Sequence, residues 1–398
     1  MPLFLTHAGT VAGTVLTLAA TLYAFAALLC RGRLRLSCSG SGSGTGSDAS
    51  AGANPVPVSV LKPLCGPEPR LEANLATFCL QSHPRFQLVF GVRDPLDPAI
   101  AVVERLGRRF PAVDMQLVVD PRIHGGNLKV SNLINMMRAV RHPWLVLADS
   151  DIAAGPDYLE RITAPLLDPG VGIVTCLYHG RALPYQGTRG KPWPRLGALF
   201  IDTWFAPSVR VASSAGSSAF AFGATIALRA DTLRAIGGFG ALKDRLADDF
   251  RLGELTRRLG LQTVLSDVWV STDVTETTLR TLWSRERRWM QTIRSLNPAG
   301  YAFSFITFTL PMLALGLWLA PTPFNATVAL FGVAARLGLH WHRPAPGLPA
   351  PDHFIYAPLR DCLLALEWLS GFAGSTTHWR RHRLRIDGRV DTPWTQHQ

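Results

Sequence analysis

Short β-rich runs recur along the first half of the chain at intervals of about 30 residues, which is room for one strand and one crossover helix each. This recurrence predicts a parallel α/β sheet. In such sheets ligands bind at the carboxyl ends of the strands, so the residues that follow each run are the first candidates for a site. The predicted strands are Val58–Leu61, Leu88–Val92, Gln116–Val119 and Trp144–Leu147.

Acidic residues follow two of these predicted strands. The second strand leads into Arg93-Asp94-Pro95 and the fourth into Asp149-Ser150-Asp151. Two carboxylates spaced in this way can hold a hard divalent cation such as Mg²⁺ or Mn²⁺, which can neutralise a diphosphate. Three residues alone also suit a solvated turn or a helix cap. The apolar strand before Asp149 favours the metal-binding interpretation.

The pattern becomes less regular after Gly172–Cys176, with a predicted strand at Phe220–Leu228 and a helix starting at Asp231–Arg234. We interpret this half as the side that binds the acceptor of a transferred group. Asp248-Asp249-Phe250 precedes a helix that is predicted to begin near Arg251. The aspartates suit a helix cap with favourable dipole alignment. One carboxylate can instead be a general base, provided that it lies within hydrogen-bond reach of an acceptor hydroxyl.

Two further motifs allow more than one interpretation. Gly125–Asn132, which contains Lys129, either shapes a nucleotide-sugar pocket or forms a Gly-rich turn that caps a helix. Arg285–Trp289 is a dense basic run beside apolar segments, which is typical of a face that binds lipid headgroups. Its Arg and Trp side chains can also grip a leaving diphosphate and form a wall of the acceptor site, because guanidinium binds phosphate oxygens bidentately.

An uncharged run over Ala8–Cys30 is long enough to cross a hydrocarbon core of about 30 Å as a helix. The positive residues Arg31, Arg33 and Arg35 follow this run, whereas a signal peptide carries its charges before a shorter apolar core. By the positive-inside rule the N-terminus points outward and the rest of the chain begins in the cytoplasm. Ser37–Asn54 is predicted to be a flexible tether.

Apolar runs at Tyr301–Ala320 and Phe324–Leu339, separated by the turn signal Pro321-Thr322-Pro323, predict a helical hairpin. A fourth stretch, Phe354–Ala373, contains charges that are costly at a bilayer centre, so we expect it to be interfacial or re-entrant. The basic tail Trp379–Arg385 is expected in the cytoplasm, which argues against a full fourth crossing. The charged residues of the fourth stretch are Arg360, Asp361 and Glu367.

The composition fits one large soluble domain with a few membrane segments, since 47% of the 398 residues are hydrophobic. The formal charge of +12 favours anionic headgroups or a phosphorylated substrate over nucleic acid, because the arginines adjoin the membrane segments. The six cysteines form no CxxC pair and no His/Cys cluster at zinc spacing. We therefore expect reduced thiols, without a disulfide framework or a structural metal site.

Taken in chain order, four motifs resemble the signature of membrane GT-A glycosyltransferases: Asp94-Pro95, Asp149-Ser150-Asp151, Ala247-Asp248-Asp249 and Arg285-x-x-Arg288-Trp289. The resemblance is to the ceramide glucosyltransferase family, and within it to bacterial relatives of hopanoid biosynthesis. It implies an α/β fold, with a Rossmann-like, mostly parallel GT-A domain and one N-terminal and two or three C-terminal membrane helices. The implied segments are an anchor at 1–36, a linker at 37–54, the catalytic domain at 55–298, a transmembrane hairpin at 299–342, and an interfacial or transmembrane helix with the basic tail at 343–398.

The resemblance also implies a role for each matching residue. Asp94 is expected at the uridine side of UDP and Lys129 on the nucleotide sugar, while Asp149 and Asp151 bind the metal, Mn²⁺ or Mg²⁺, and the diphosphate. Asp249 is expected to be the catalytic base. The family reaction inverts the anomeric centre in a single displacement, which needs one base and a stabilised leaving group but no enzymic nucleophile. The diphosphate and the acceptor are assigned to Arg285, Arg288 and Trp289.

The reaction expected first is transfer of N-acetylglucosamine from UDP-GlcNAc to bacteriohopanetetrol at a bacterial inner membrane, since ceramide enzymes often lack the second carboxylate that Asp151 provides here. The alternative is a ceramide glucosyltransferase that uses UDP-glucose. A processive polysaccharide synthase shares the signature but is expected to have more membrane helices. A non-enzymatic membrane adaptor has no need for intact acidic motifs. The expected partners are therefore a UDP-sugar donor and a membrane lipid acceptor, with no nucleic acid.

Overall fold

The structure is a computed structural model that describes residues 2–30, 55–183, 191–341, 354–374, 376–379 and 382–385. The predicted tether Ser37–Asn54 lies outside the described residues, as do the arginines that follow the first apolar run. The chain divides into two compact units. The sheet unit comprises the described residues of Leu34–Leu177 and Ser218–Thr272. The helical unit comprises those of Met1–Arg33, Tyr178–Ser217 and Asp273–Arg389.

Strands and helices alternate in the sheet unit, whereas the helical unit is built mainly from helices. The strands are β1 (Val58–Pro63), β2 (Phe86–Val92), β3 (Asp114–Val119), β4 (Trp144–Leu147), β5 (Ile152–Ala153), β6 (Val171–Ala182), β7 (Ile226–Arg229), β8 (Gln262–Val274), β9 (Thr376–Trp379) and β10 (His382–Arg385). The α-helices are α1 (Pro2–Leu29), α2 (Leu71–Cys79), α3 (Ala99–Arg109), α4 (Leu128–Met136), α5 (Tyr158–Thr163), α6 (Trp193–Phe200), α7 (Ala206–Ser214), α8 (Ala230–Ala235), α9 (Asp248–Arg258), α10 (Leu279–Leu296), α11 (Pro298–Phe303), α12 (Thr309–Leu319), α13 (Pro323–Gly338) and α14 (Ala357–Gly371).

The first four strands form the parallel half of the sheet. β1 pairs in parallel with β2 and β4, and β2 pairs in parallel with β3. The register places Val60 beside Leu88 on one side and beside Val146 on the other, and all three side chains are fully buried. Apolar runs without polar alternation suit such a sheet, because helices cover both faces. The predicted strands, and the crossover helices α2, α3 and α4 between them, are confirmed.

The other half of the sheet is antiparallel, and the strand order is β3-β2-β1-β4-β7-β6-β8-β5. β7 pairs antiparallel with β4 and β6, and β5 pairs antiparallel with β8. The helix predicted from Asp231 is confirmed as α8. The strand predicted at Phe220–Leu228 is wrong at its start, since β7 begins only at Ile226. Its first residues close a turn instead, in which the Gly223 amide donates to Asp249.

Small residues allow α1, α12 and α13 of the helical unit to approach closely. A Cβ atom added to Gly316 of α12 would lie 2.3 Å from Thr17 Oγ1 and 3.0 Å from the Gly13 carbonyl oxygen of α1. A Cβ added to Gly332 of α13 would lie 2.6 Å from Thr21 Oγ1. Packing through Gly and Thr, rather than through large apolar side chains, is typical of helices that associate in a membrane.

One helix of the described residues, His7–Leu29, is long and apolar enough to cross a membrane, or two if a bent pair counts as one span. The helix agrees with the predicted anchor at Ala8–Cys30. The first helix of the predicted hairpin, Tyr301–Ala320, corresponds to the bent pair. The angle between Pro298–Thr307 and Thr309–Leu319 is 76°. The 11 residues of α12 rise about 16 Å and the 16 residues of α13 about 24 Å, against a core of about 30 Å. Full crossings by the hairpin therefore stay a prediction.

The three charges of the fourth apolar stretch are buried in α14 and paired within the helical unit. Arg360 lies 2.8 Å from Glu286 of α10 and 2.6 Å from Glu367. Arg336 of α13 lies 2.6 Å from Asp361. Buried charges are tolerated when they are paired in this way. The charges thus face other side chains, while the exposed residues of α14 include Leu359, Leu366 and Leu369.

We expect Gly13→Ala to lower the thermal midpoint of the detergent-purified protein. The added Cβ would lie 2.7 Å from the Gly316 carbonyl oxygen and 2.8 Å from two side chains of α12 and its end, so the helices must separate, at a cost of about 1–3 kcal/mol. The matched control is Gly9→Ala in the same helix, where no atom lies within 4 Å of the added Cβ. Alanine alone favours a helix over glycine by about 1 kcal/mol. Equal midpoints for the two variants would contradict the close approach of α1 and α12.

Candidate active site

Asp149 stands just beyond the carboxyl end of β4, where the sheet predicts a ligand site. Lys129, in the first turn of α4, places its Nζ 2.6 Å from Asp149 Oδ1 and 3.8 Å from Asp248 Oδ2. Burial disfavours the charged amine, but Asp149 and Asp248 outweigh that effect and raise the pKa of Lys129. The N-cap of α4 is Asn127, whose Oδ1 accepts a hydrogen bond from the Val130 amide at 3.1 Å. The Gly-rich turn thus caps a helix and also presents a lysine to two candidate acids.

Gly223 marks the point where the acidic motifs converge. A Cβ atom on this glycine would lie 3.3 Å from Asp149 Oδ2, 3.3 Å from Lys129 Nζ and 3.4 Å from Asp249 Oδ2. The Gly223 amide also donates to Asp249 Oδ2 at 2.9 Å. A side chain at this position would touch all three charged groups, so the glycine keeps the space between them clear. The local sequence pattern predicts a strand at Gly223 and gives no sign that this residue lies among the acidic motifs.

Asp149 and Asp151 form the carboxylate pair on which a metal prediction rests. Asp151 Oδ2 accepts a hydrogen bond from Thr272 Oγ1 at 2.7 Å. Burial and the neighbouring Asp149 raise the pKa of Asp151. A divalent cation would offset this repulsion. In the described part of the chain no group of three or more His, Cys, Asp or Glu side chains could hold a metal ion, so the protein would supply two carboxylates. That donor set suits Mg²⁺ or Mn²⁺, which complete their shells with water and substrate phosphate.

Asp249 has the environment of a general base. It lies in the first turn of α9, which begins at Asp248 rather than near Arg251 as predicted, and the N-cap residue is Ala247. The favourable dipole alignment therefore holds for both aspartates, but neither is the cap. Burial and Asp248 raise the pKa of Asp249 to about 6, against the opposing effect of Lys129. A carboxylate with that pKa is ionised at neutral pH and takes up a proton readily.

Lys62, which belongs to none of the sequence motifs, is a buried lysine next to the carboxylate pair. It is fully buried at the end of β1, with its Nζ 2.5 Å from the Asp149 carbonyl oxygen and 3.9 Å from the centre of the Phe78 ring. Burial lowers the pKa of Lys62 to about 7, although Asp151 and Asp149 act in the opposite direction. The sequence signal was a lysine directly after the predicted strand Val58–Leu61.

Asp94 follows β2 and is exposed at the carboxyl end of the sheet. Its Oδ1 accepts a hydrogen bond from the Leu96 amide at 2.9 Å, which fixes the turn. Asp97, three residues on, accepts a hydrogen bond from the Ala99 amide at the start of α3 at 2.9 Å and also accepts from the Gly66 amide. Asp97 therefore joins the loop at Gly66 to the start of α3, whereas Asp94 is exposed and accessible to a ligand.

The fourth motif lies on α10 in the helical unit. Arg285 Nη1 lies 2.7 Å from Glu276 Oε1, and the Arg285 guanidinium stacks 5.1 Å from the Trp289 ring centre. Trp289 in turn packs against Phe200, with ring centres 5.3 Å apart. Arg287 binds the carbonyl oxygens of Ser370 and Ala373. Because Arg285 and Arg287 both bind protein groups, the basic run is engaged inside its unit, which disfavours the interpretation as a headgroup-binding face.

The profile of glycosyl transferase family 21 matches residues 13–390. The chain belongs to this family. Ceramide glucosyltransferase 1 of Caenorhabditis elegans is 25% identical over 242 residues, which cover 61% of this chain and 50% of that protein. Ceramide glucosyltransferase of Candida albicans is 29% identical over 115 residues, 26% of this chain and 21% of that protein. The chain thus spans about half the length of the first of these relatives. The resemblance to the ceramide glucosyltransferase family is confirmed, whereas the closer likeness to hopanoid enzymes finds no support in these relatives.

A solved structure shows the same fold. The mannosyltransferase PcManGT from Pyrobaculum calidifontis, in complex with GDP-Man and Mn²⁺, superimposes with a TM-score of 0.52 at 18% identity, over 92% of this chain and 99% of that one. The prediction of an α/β, GT-A-type glycosyltransferase fold is therefore confirmed. The sheet itself is mixed, with the parallel strands in its first half.

We expect Gly223→Val to lower the rate of sugar transfer about tenfold or more, because its side chain would fill the space between Asp149, Lys129 and Asp249. Transfer kinetics and thermal midpoints of the purified variants measure this. The control is Gly107→Val in α3 of the same unit, where no atom lies within 4 Å of an added Cβ. If the Gly223 variant matches the control in rate, the convergence at this glycine does not belong to the reaction.

The transfer rate is expected to fall about tenfold per pH unit as the pH drops below about 6, and to level off above it. The reason is that Asp249 accepts a proton only when ionised, and its pKa in the folded protein is raised to about 6. The measurement is kcat/KM between about pH 5 and pH 8. Asp231→Asn, at an acid whose side chain is 67% exposed, should keep the same profile. A flat profile across this range would exclude Asp249 as the base.

Proposed function

We propose that this chain transfers glucose from UDP-glucose to ceramide, as a membrane-bound inverting glycosyltransferase. The observation that carries the proposal is the convergence of Asp149, Lys129 and Asp249 around Gly223 at the carboxyl end of the sheet. Family membership and the two ceramide glucosyltransferases similar to it support this choice of substrates. The expectation of UDP-GlcNAc and a hopanoid acceptor has no such support and gives way to the alternative.

The donor side of the reaction would rest on Asp149, Asp151 and the two lysines. Asp149 and Asp151 would hold Mn²⁺ or Mg²⁺, and the bound cation would neutralise charge on the donor diphosphate. Lys129 supplies a fixed positive charge 2.6 Å from Asp149. The Lys62 Nζ donates to the Asp149 carbonyl oxygen and so helps to hold the turn that carries Asp149. Asp94, exposed after β2, is assigned to the uridine side of UDP.

The acceptor side would rest on Asp249. Its carboxylate removes the proton from the acceptor hydroxyl as the oxygen forms a bond to the anomeric carbon of glucose. The bond between that carbon and the diphosphate oxygen breaks, and UDP departs on the opposite face, which inverts the configuration. Two backbone amides, those of Gly223 and Phe250, donate to Asp249 and fix its orientation. The roles of Arg285, Arg288 and Trp289 toward diphosphate and acceptor remain part of this proposal.

A lipid acceptor requires the enzyme to stay at a membrane, and the helical unit offers apolar surface for that purpose. The helix His7–Leu29 is the candidate anchor. Trp318 is 77% exposed, Leu330 68% and Phe331 56%, on the two helices that pack against α1. Large exposed apolar side chains on neighbouring helices mark a membrane-facing surface. We place the catalytic domain on the cytoplasmic face of a multi-pass protein, in a bacterial inner membrane.

The test is a transfer assay on the purified protein in detergent, with UDP-glucose and UDP-GlcNAc offered separately against ceramide and bacteriohopanetetrol. The proposal expects glucosylceramide with a single sugar, identified by mass spectrometry. N-acetylglucosamine on the hopanoid would overturn the substrate assignment, and a ladder of added sugars would indicate a processive synthase. Absence of transfer from every pair would reject the enzyme assignment.

We expect transfer to stop in EDTA and to return with added Mn²⁺ or Mg²⁺, because the carboxylates of Asp149 and Asp151 repel a diphosphate unless a cation lies between them. Asp149→Asn should lower turnover by about a hundredfold or more and raise the Mn²⁺ concentration needed for half-maximal rate. Asp168→Asn, an exposed acid in the same unit, serves as the control. Full activity in EDTA would exclude the cation, and full activity of Asp149→Asn would exclude its assigned role.

A further inference from the structure

α10, which carries Arg288 and Trp289, is held at the C-terminal end of α14 by three side chains of one face. Arg287 donates to the carbonyl oxygens of Ser370 at 3.3 Å and Ala373 at 2.9 Å. Gln291 donates to Ala373 at 3.0 Å. Arg294 donates to the carbonyl oxygens that follow, those of Phe372 and Gly374, the latter at 2.9 Å.

The spacing and the charge of these contacts match a helix end. Positions 287, 291 and 294 are separated by four and three residues, so their side chains lie along one face of α10. The last carbonyl groups of a helix have no partner within it, and they carry the negative end of the helix dipole. Two guanidinium groups and an amide therefore donate to Ser370 in the last turn of α14 and to the residues that directly follow the helix. Gly374, the last of these acceptor residues, has a φ of +83°.

A second contact joins the same two helices on another face of α10. Glu286, fully buried, lies 2.8 Å from Arg360 of α14, which is also fully buried and lies 2.6 Å from Glu367. Close backbone packing accompanies this ion pair, since a Cβ on Gly371 would lie 3.3 Å from the Met290 Cβ. A helix that is held on two faces cannot turn about its axis without breaking one of the two contacts.

We propose that the C-terminal end of α14 positions α10, and that Arg287, Gln291 and Arg294 are positioning residues for Arg288 and Trp289. The inference rests on the proposed function, in which those two residues serve the diphosphate and the acceptor. It assigns a role to Arg287, which the charge pattern of Arg285–Trp289 alone attributes to lipid headgroups. Release of the helix end would let Arg288 and Trp289 move while the helical unit stays folded, because the buried Glu286–Arg360 pair remains.

The test compares the double variant Arg287→Ala/Arg294→Ala with wild type in detergent that contains no anionic lipid. We expect kcat to fall about tenfold to a hundredfold with the donor KM within about twofold, since misplacement of a reacting group affects turnover more than donor binding. The double variant Arg287→Lys/Arg294→Lys, which keeps cations at the carbonyl groups, should recover part of the rate. Arg280→Ala, at an exposed position of the same helix, is the control and should behave as wild type.

Three results would overturn the inference. One is a double alanine variant with the wild-type kcat in detergent. Another is a loss that appears only in vesicles containing phosphatidylglycerol, which would assign the arginines to headgroups. The third is a full rate for Arg288→Ala while the double variant is impaired. That result would mean that Arg288, which Arg287 and Arg294 are proposed to position, has no part in the reaction. A wild-type protein that transfers no sugar would instead reject the proposed function, so the two failures are distinguishable.

Discussion

The structure of the sheet unit depends on how charge is compensated beyond the end of β4. Two lysine side chains, Lys62 and Lys129, lie against Asp149, one at its carbonyl oxygen and one at its carboxylate. The acids around them outnumber these cations: with Asp151, Asp248 and Asp249 the four carboxylates leave a formal excess of two negative charges. Burial first, and then this negative excess, raises the pKa values of Asp151 and Asp249. A divalent cation would neutralise it, which explains why a metal-dependent donor site is chemically reasonable here.

In the helical unit, by contrast, the buried charges are compensated by ion pairs within an apolar environment. Arg360 is surrounded by Glu286 and Glu367, and Arg336 by Asp361, with all five side chains buried. Removing one partner of such a pair typically costs about 3–5 kcal/mol, because the other charge stays buried and unpaired. These pairs therefore specify which faces of α10, α13 and α14 meet. Apolar contacts alone would allow those helices to slide or rotate.

Much of the sheet unit could be predicted from sequence because its signals are local. Apolar runs such as Trp144–Leu147 mark strands, and the acids that follow them mark the carboxyl edge. The features that were missed depend on contacts between distant parts of the chain. Lys62 meets Asp149 across 87 residues, and Gly223 meets Asp249 across 26. The early part of Phe220–Leu228 has the composition of a strand, yet the bond to Asp249 turns it into a loop.

The same distinction between local and distant contacts changes the meaning of the net charge of +12. A basic run beside apolar segments indicates lipid headgroups when only the sequence is considered. In the structure, Arg285 is bound by Glu276, while Arg287 and Arg294 donate to the carbonyl oxygens at the end of α14. Arg336 and Arg360 are paired with buried acids. An arginine held by a carboxylate or a helix end has part of its charge and some of its five N–H donors already engaged, so it attracts a headgroup less strongly. Much of the positive charge of the helical unit thus acts between its own helices, and the total overstates the basic surface that a membrane or a phosphorylated substrate would meet.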